Sequence, residues 1–361
     1  MIDVDKLRHN FGYLDEVLYL NTATAGLTQA STGRAAAAYY ERMQSRGFDG
    51  HEEWRAVAGR VRALLSRLMN VDPNTINFVG STTEALNLVA QAVSIAAGDR
   101  VVFLEDEFPS LRAALEPLAN KGADVRKLSC ADESRRTDIL CDAAAGAKIV
   151  GVSHVHWYSG TRIDLPRLAK TCRAEGTILL VDGIQALGAT PVDARNVDVY
   201  AGATFKWLLA GFGLGIVLIC ESLRDRLQPI FRGYFNPWPS TEIRYGHINY
   251  PGLCALEASL LDLESLGWTN IFERVAMLRG SLARNLLDLR AQIITPERDA
   301  AGIVSFNADD AQALVARLHA NNIRVAVREG LVRVSPHFYN TQREIDRFCD
   351  IISSVRKESI S

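Results

Sequence analysis

The sequence predicts an α/β protein: a large domain built on a mostly parallel sheet, then a smaller α+β C-terminal domain. Three observations carry this. Between about residues 76 and 219, short β-branched runs alternate with helical stretches, the pattern of strands joined by covering helices. The last third loses that alternation, and its strands lie beside helices. Finally, 361 residues, 48% of them apolar, are enough for more than one core. The expected bounds are 17–267 for the large domain and 268–361 for the small one, with 1–16 packing nearby.

Taken in order, Leu18–Leu20 reads as a first strand. Ile76–Val79, Val101–Leu104, Ile149–Val152, Ile178–Val181, Val197–Tyr200 and Ile216–Ile219 read as buried strands, because they are almost unbroken apolar runs. Ala85–Ala96, Leu111–Ala119 and Leu165–Ala174 have helical spacing between them. The aromatic, proline- and glycine-rich stretch Pro229–Pro239 is a long loop near a junction. After Gly252 a helix runs to about Leu266, and Gly267 ends it. In the small domain, Ile303–Phe306, Ile323–Val327 and Leu331–Val334 are strands beside helices at Ala311–His319 and Thr341–Val355.

Composition excludes several classes. No apolar run approaches the roughly 20 residues of a membrane span. The N-terminus is polar and acidic, unlike a secretory signal. Six scattered cysteines without a C-x-x-C pair fit neither a zinc site nor a secreted disulfide framework. A net charge of −2 without a basic stripe does not suit nucleic acid. A cytoplasmic protein that takes a small molecule is expected.

The chemistry centres on Lys206, in a nearly uncharged stretch downstream of Asp182. A lysine in apolar surroundings loses charge and becomes a nucleophile towards carbonyls. A carboxylate at the end of a strand can hold a pyridinium nitrogen protonated. These are a protein's two main levers on pyridoxal 5′-phosphate (PLP). Gly80-Ser81-Thr82-Thr83-Glu84 follows a strand with capping-box spacing, so a helix starts there with free N–H groups and hydroxyls for a phosphate. Thr82-Thr83, Glu107-Phe108, Asp182 and Lys206 follow four separate strands, where open parallel sheets bind ligands. Gly211, Gly213 and Gly215 lead into a strand, not a helix, so they are no dinucleotide fingerprint.

The order Gly80–Glu84, Glu107-Phe108, Ser153-His154-Val155-His156-Trp157, Asp182–Ala186 and Phe205-Lys206 resembles the class V aminotransferases, of the fold type I PLP enzymes, from about Val17 to Phe348. The resemblance implies a Schiff base on Lys206, Asp182 at the pyridine nitrogen and Gln185 at the phenolic oxygen. It implies Thr82 and Thr83 at the phosphate, Phe108 stacked on the ring and Trp157 near the phenolic oxygen. Arg333 matches the arginine for the substrate carboxylate, Arg328 another near the substrate, and Asn21 a segment lining the pocket. His247 lies in a segment that reaches the partner's phosphate, which implies a homodimer. His154 and His156 are acid–base candidates or structural groups.

Two departures stand out. Ala203-Thr204-Phe205 replaces the Ser-Gly-His that helps bind phosphate, leaving Thr204 or His247 to substitute. Arg328 to Arg333 runs straight on where desulfurases insert a loop with their catalytic cysteine. The expected function is therefore PLP chemistry at an amino-acid α-carbon, first as C–S lyase β-elimination in specialised metabolism. Amino transfer or epimerisation is the alternative, and a non-catalytic PLP-binding regulatory module is the rival of another class.

Overall fold

The computed structural model describes residues 2–360; residues 1 and 361, the outer limits of the expected bounds, lie outside it. Its strands are β1 (Leu18–Tyr19), β2 (Ile76–Val79), β3 (Arg100–Leu104), β4 (Asp124–Leu128), β5 (Ala147–Ser153), β6 (Ile178–Asp182), β7 (Val199–Ala203), β8 (Gly215–Ile219), β9 (Val304–Phe306), β10 (Ile323–Arg324), β11 (Ala326–Arg328) and β12 (Leu331–Val334). The main sheet has the order β2-β8-β7-β6-β5-β3-β4. Only β8 opposes the common strand direction, pairing antiparallel with β2 and β7.

Side chains alternate between two cores, as the pleat requires. Along β6, Leu179 and Val181 enter a core shared with the helices His51–Met69, Leu165–Glu175 and Tyr250–Leu266. Ile178 and Leu180 enter the opposite core, under the helices Thr82–Ala92 and Pro109–Leu115. Strands covered on both faces must be apolar throughout, which is why their sequences lack alternation.

Several elements differ from expectation. Strand β4 is charged and largely exposed, and works because it is an edge strand whose side chains meet water. Strand β7 starts at Val199 and ends at Ala203, three residues before Lys206. The helices Ala30–Arg46, His51–Met69, Arg136–Ala144 and Trp268–Asp288 are additional.

The smaller sheet, β11-β12-β9, is antiparallel and backed by the helices Trp268–Asp288, Ala311–Ala320 and Gln342–Ile360. The expected strand Ile323–Val327 divides at Val325: β10 pairs in parallel with β1, and β11 turns to pair with β12. Leu18 and Leu20 are buried in this C-terminal core, so the segment expected to open the large domain at residue 17 packs with the small one. A further cluster joins the parts, with Phe11 and Leu14, Trp207 and Leu209, and Phe338 and Tyr339. No helix among the described residues is long and apolar enough to cross a membrane.

Candidate active site

Lys206 follows β7 in a turn that returns the chain to β8. The Thr204 hydroxyl closes this turn, donating to the carbonyls of Gly211 (3.2 Å) and Leu214 (3.1 Å). Thr204 is fully buried and its hydrogen is spent, which corrects its expected place at a phosphate. Three distant segments hold the backbone around Lys206. The Gly26 N–H donates to the Phe205 carbonyl (2.8 Å). The Trp207 indole donates to Gln185 Oε1 (2.9 Å), and His337 Nε2 donates to the Trp207 carbonyl (3.1 Å). The Gly26 contact is so close that a Cβ there would stand 2.1 Å from the Lys206 carbonyl oxygen.

The Lys206 side chain is only 8% exposed. Burial pushes its pKa down from the ordinary lysine range; the Arg333 and Arg328 guanidiniums push the same way, against the pull of Asp182. Asp182 ends β6 and is also buried. Burial pushes its carboxyl up, while a hydrogen bond from the Ile184 N–H (3.0 Å) and the charge of Lys206 oppose it. The Lys206 Nζ lies 5.8 Å from the Phe108 ring centroid and 5.7 Å from that of Phe205, so apolar faces flank the amine. Gln185 spends its Oε1 on Trp207 and one N–H on the Ala23 carbonyl (3.0 Å), leaving one N–H.

The helix Thr82–Ala92 starts as its sequence requires. Ser81 Oγ accepts from the Glu84 N–H (3.1 Å), and Glu84 reaches back to the Gly80 N–H (2.6 Å). The first-turn amides have no acceptor within a helix. Beside them the Thr82 hydroxyl is buried with no hydrogen-bond partner, while the exposed Thr83 hydroxyl pairs with Ser110 (2.8 Å). Gly215, opposite Ala203 in the sheet, lets β8 pass against this helix start: a Cβ on Gly215 would stand 2.9 Å from the Ser81 carbonyl carbon. That approach sets the helix N-terminus beside the strand leading to Lys206.

At the other end, Arg333 is almost wholly buried. It donates from Nη1 to the Trp157 carbonyl and from Nη2 to Thr24 Oγ1, both at 2.7 Å, and its buried Nε has no partner. Arg328 donates to the same Thr24 oxygen (3.2 Å). Thr24 in turn donates to Asn21 Oδ1 (2.7 Å), so the N-terminal segment orients both arginines. Sequence reasoning places Asn21 here but misses Thr24, whose two arginine partners lie more than three hundred residues away.

Trp157 packs edge-on to Phe108 at 5.4 Å, and its indole N–H goes to the Asp106 carbonyl (3.1 Å). Its one side-chain donor is therefore committed to the protein. Trp157 shapes the wall and presents its carbonyl to Arg333. Arg136, also missed from sequence, is a buried cation grasped by both Asp106 oxygens (2.7 Å each) and by Glu133 (3.2 Å). Glu107 is buried beside it, accepts from the Ser153 N–H and hydroxyl, and is pushed up to about 7 by burial. His154 bonds the Tyr200 hydroxyl (2.9 Å) and His156 the Ser159 hydroxyl (2.8 Å). Burial pushes both imidazoles far down, which favours their neutral forms.

His247 is exposed, among the rings of Tyr234, Phe235, His51 and Tyr250. Arg328 and Arg333 are joined by a tight hairpin whose two turn residues, Glu329 and Gly330, have φ of 48° and 75°. The six cysteines are free thiols; burial pushes Cys172 up to about 12 and Cys349 to about 11.

These residues fit PLP. An amine held towards its neutral form suits its aldehyde, Asp182 its ring nitrogen and Phe108 its face. The unpartnered Thr82 hydroxyl at a helix N-terminus suits its phosphate. A model of the family described as Aminotransferase class-V matches residues 17–348. Isopenicillin N epimerase from Streptomyces clavuligerus is 26% identical, covering 94% of this chain and 97% of its own. A probable cysteine desulfurase from Pyrococcus abyssi is 25% identical over 98% of both. Among solved structures, a C-DES mutant with glycine covalently linked to its PLP cofactor shares the fold: TM-score 0.90, 22% identity, 96% of this chain and 98% of that one.

Proposed function

Because this chain belongs to the class V aminotransferase family, whose cofactor is PLP, we propose that it removes the Cα proton of an amino acid and expels a sulfur leaving group from Cβ. One observation carries this: a buried amine held towards its neutral form shares a charge cluster with one carboxylate and two guanidiniums. Lys206 would hold the cofactor's aldehyde carbon, Asp182 its ring nitrogen, Phe108 its face, and Thr82 and Thr83 its phosphate, with the remaining Gln185 N–H for its phenolic oxygen. When bound, the cofactor supplies an electron sink for the pair left at Cα.

The chain's own groups do the rest. Arg333 takes the substrate α-carboxylate and so fixes how Cα faces the lysine. The Lys206 amine, disfavoured as a cation by burial and by the guanidiniums, accepts the Cα proton and afterwards returns it, on the leaving sulfur in an elimination. Asp182 keeps a proton on the nitrogen opposite it. The leaving group departs with the Cβ–S electron pair, and water releases a 2-oxo acid and ammonia. No protein thiol takes part: the two-residue turn after Arg328 supports this, as do the raised pKa values of Cys172 and Cys349. The similarity to isopenicillin N epimerase favours epimerisation as a second reading, with amino transfer as the third.

We further propose a cytoplasmic homodimer in which His247 reaches the neighbouring subunit's phosphate site. The exposed Phe231, Tyr234 and Trp238 support it, since large apolar groups are seldom left in water together. The test uses the PLP-loaded enzyme and S-substituted cysteines. Release of 2-oxo acid and ammonia without an added amino acceptor supports elimination. Dependence on a 2-oxo acid acceptor means amino transfer, and inversion without release means epimerisation. Borohydride should fix the cofactor on the peptide containing Lys206; label on another lysine would refute the site.

A further inference from the structure

Arg328 and Arg333 stand on paired strands of one hairpin. Arg328 lies opposite Leu331, and Leu331 and Arg333 are two residues apart, so both arginines project from one face. Val327, Val332 and Val334 project from the other face, into the small-domain core. Diagonal neighbours in such a pair lie about 7–8 Å apart at Cα, and the two guanidiniums meet at the Thr24 hydroxyl. Every hydrogen-bond acceptor recorded for them is neutral: the carbonyls of Val327 and Trp157 and the Thr24 oxygen.

Two adjacent cations on neutral oxygens call for anions from outside the chain. A guanidinium has five N–H groups. Arg333 commits two of them and Arg328 two, so each keeps three free, including the buried, unpartnered Nε of Arg333. A single carboxylate is satisfied by one planar fork, which Arg333 alone can provide. Arg328 is then left over. It is also the outer of the two, half-buried where Arg333 is 2% exposed, and so stands towards the distal end of a substrate whose α-carbon lies by Lys206. Burial and the charge of Arg328 together press the Arg333 pKa down to about 9, the strain that bound anions would relieve.

We propose that the substrate is an amino acid with a second acidic group at the end of its side chain, its α-carboxylate on Arg333 and its distal acid on Arg328. This rests on the amino-acid chemistry proposed above and adds its substrate class. Arg328 is then the specificity-determining residue.

The test reads binding, not turnover. Succinate, glutarate and adipate, each beside the monocarboxylate of equal chain length, are titrated calorimetrically into the PLP-loaded enzyme, into Arg328→Gln and into Arg333→Gln. At least one diacid should bind tighter than its monoacid by on the order of 10-fold, the scale of one charge-assisted contact. Arg328→Gln should erase that preference and leave monoacid affinity within about 2-fold, whereas Arg333→Gln should weaken both kinds of acid. The preference should also shrink with added salt, since Arg328 is partly solvated. Monoacids that bind as well as every diacid, or a preference that survives Arg328→Gln, would overturn the proposal. Equal loss of monoacid binding in both variants would mean that the two arginines grip one carboxylate; the amino-acid reading would then stand and the diacid class would not. Absence of binding by any acid would sink both.

Discussion

Thr82→Val separates a binding role from a folding role, because the two carry opposite signs. The substitution keeps the β-branched shape and exchanges one buried hydroxyl for a methyl. That hydroxyl has no hydrogen-bond partner within the protein, and an orphaned buried polar group costs about 1–3 kcal/mol. Valine should therefore leave the apoprotein as stable or more stable, by up to that amount. If Thr82 holds the phosphate as proposed, the same change would remove a hydrogen bond to a charged group, about 1.5–3 kcal/mol, or roughly 10- to 150-fold in Kd. Urea unfolding of the apoprotein and equilibrium dialysis of PLP measure the two effects separately. Unchanged cofactor affinity would remove Thr82 from the phosphate site. A clearly destabilised apoprotein would show that the hydroxyl has a structural partner after all.

Gly26→Ala should lower both stability and cofactor retention, because its Cβ would meet the Lys206 carbonyl oxygen, a backbone atom that cannot rotate away. Overpacking of this kind costs about 1–3 kcal/mol, and a wild-type melting curve with normal PLP content would contradict the contact. Burial holds His337 down to about 4 in the folded protein against an ordinary 6.5, so the folded state binds fewer protons than the unfolded chain. Its contribution is complete above about pH 6.5 and is lost as pH falls towards 4, by up to about 1.4 kcal/mol per unit. Glu107, raised to about 7, works in the opposite direction, so the comparison is with His337→Asn. Between about pH 7 and 5.5 the wild type should lose urea stability relative to that variant, and parallel curves would refute the neutral burial of His337. Alanine at each of the six cysteines in turn should leave turnover standing; one thiol whose loss abolishes it in a folded protein would reopen a thiol mechanism.

What the sequence discloses follows from how local each signal is. Asp182 and Lys206 are legible because both sit just beyond apolar strands, and the Ser81–Glu84 cap because its spacing is itself the structure. The helix His51–Met69, absent from the expected elements, does carry a signal in its sequence, with Trp54, Val57, Ala58, Val61, Leu64, Leu65 and Leu68 at helical intervals. Strand β4 does not: Asp124, Arg126 and Lys127 face water, and only pairing with β3 makes it a strand. Thr24 and Arg136 are illegible for a different reason. Each is tied to residues outside its own segment, Thr24 to Arg328 and Arg333 and Arg136 to Asp106, and nothing in the neighbouring sequence marks a hydroxyl as the meeting point of two guanidiniums. Thr204 and Trp157 show the converse, since their positions suit a ligand while their donors go to nearby carbonyls.

The tight Glu329–Gly330 turn makes the arginine end of the site discrete in its possible geometries. Pairing fixes Arg328 opposite Leu331, and side chains alternate faces at every step. One residue added within β12 ahead of Arg333 would swing that guanidinium from Thr24 and the Trp157 carbonyl to the core of the small domain. Two would return it to the proper face but carry it about 7 Å along the strand, past the reach of the Trp157 carbonyl and Thr24. Length variation here therefore cannot tune the distance between the two cations gradually. A site that accepts a longer or shorter substrate must obtain it from the far side, through the 21–26 segment or Trp157, while the hairpin stays as a fixed ruler.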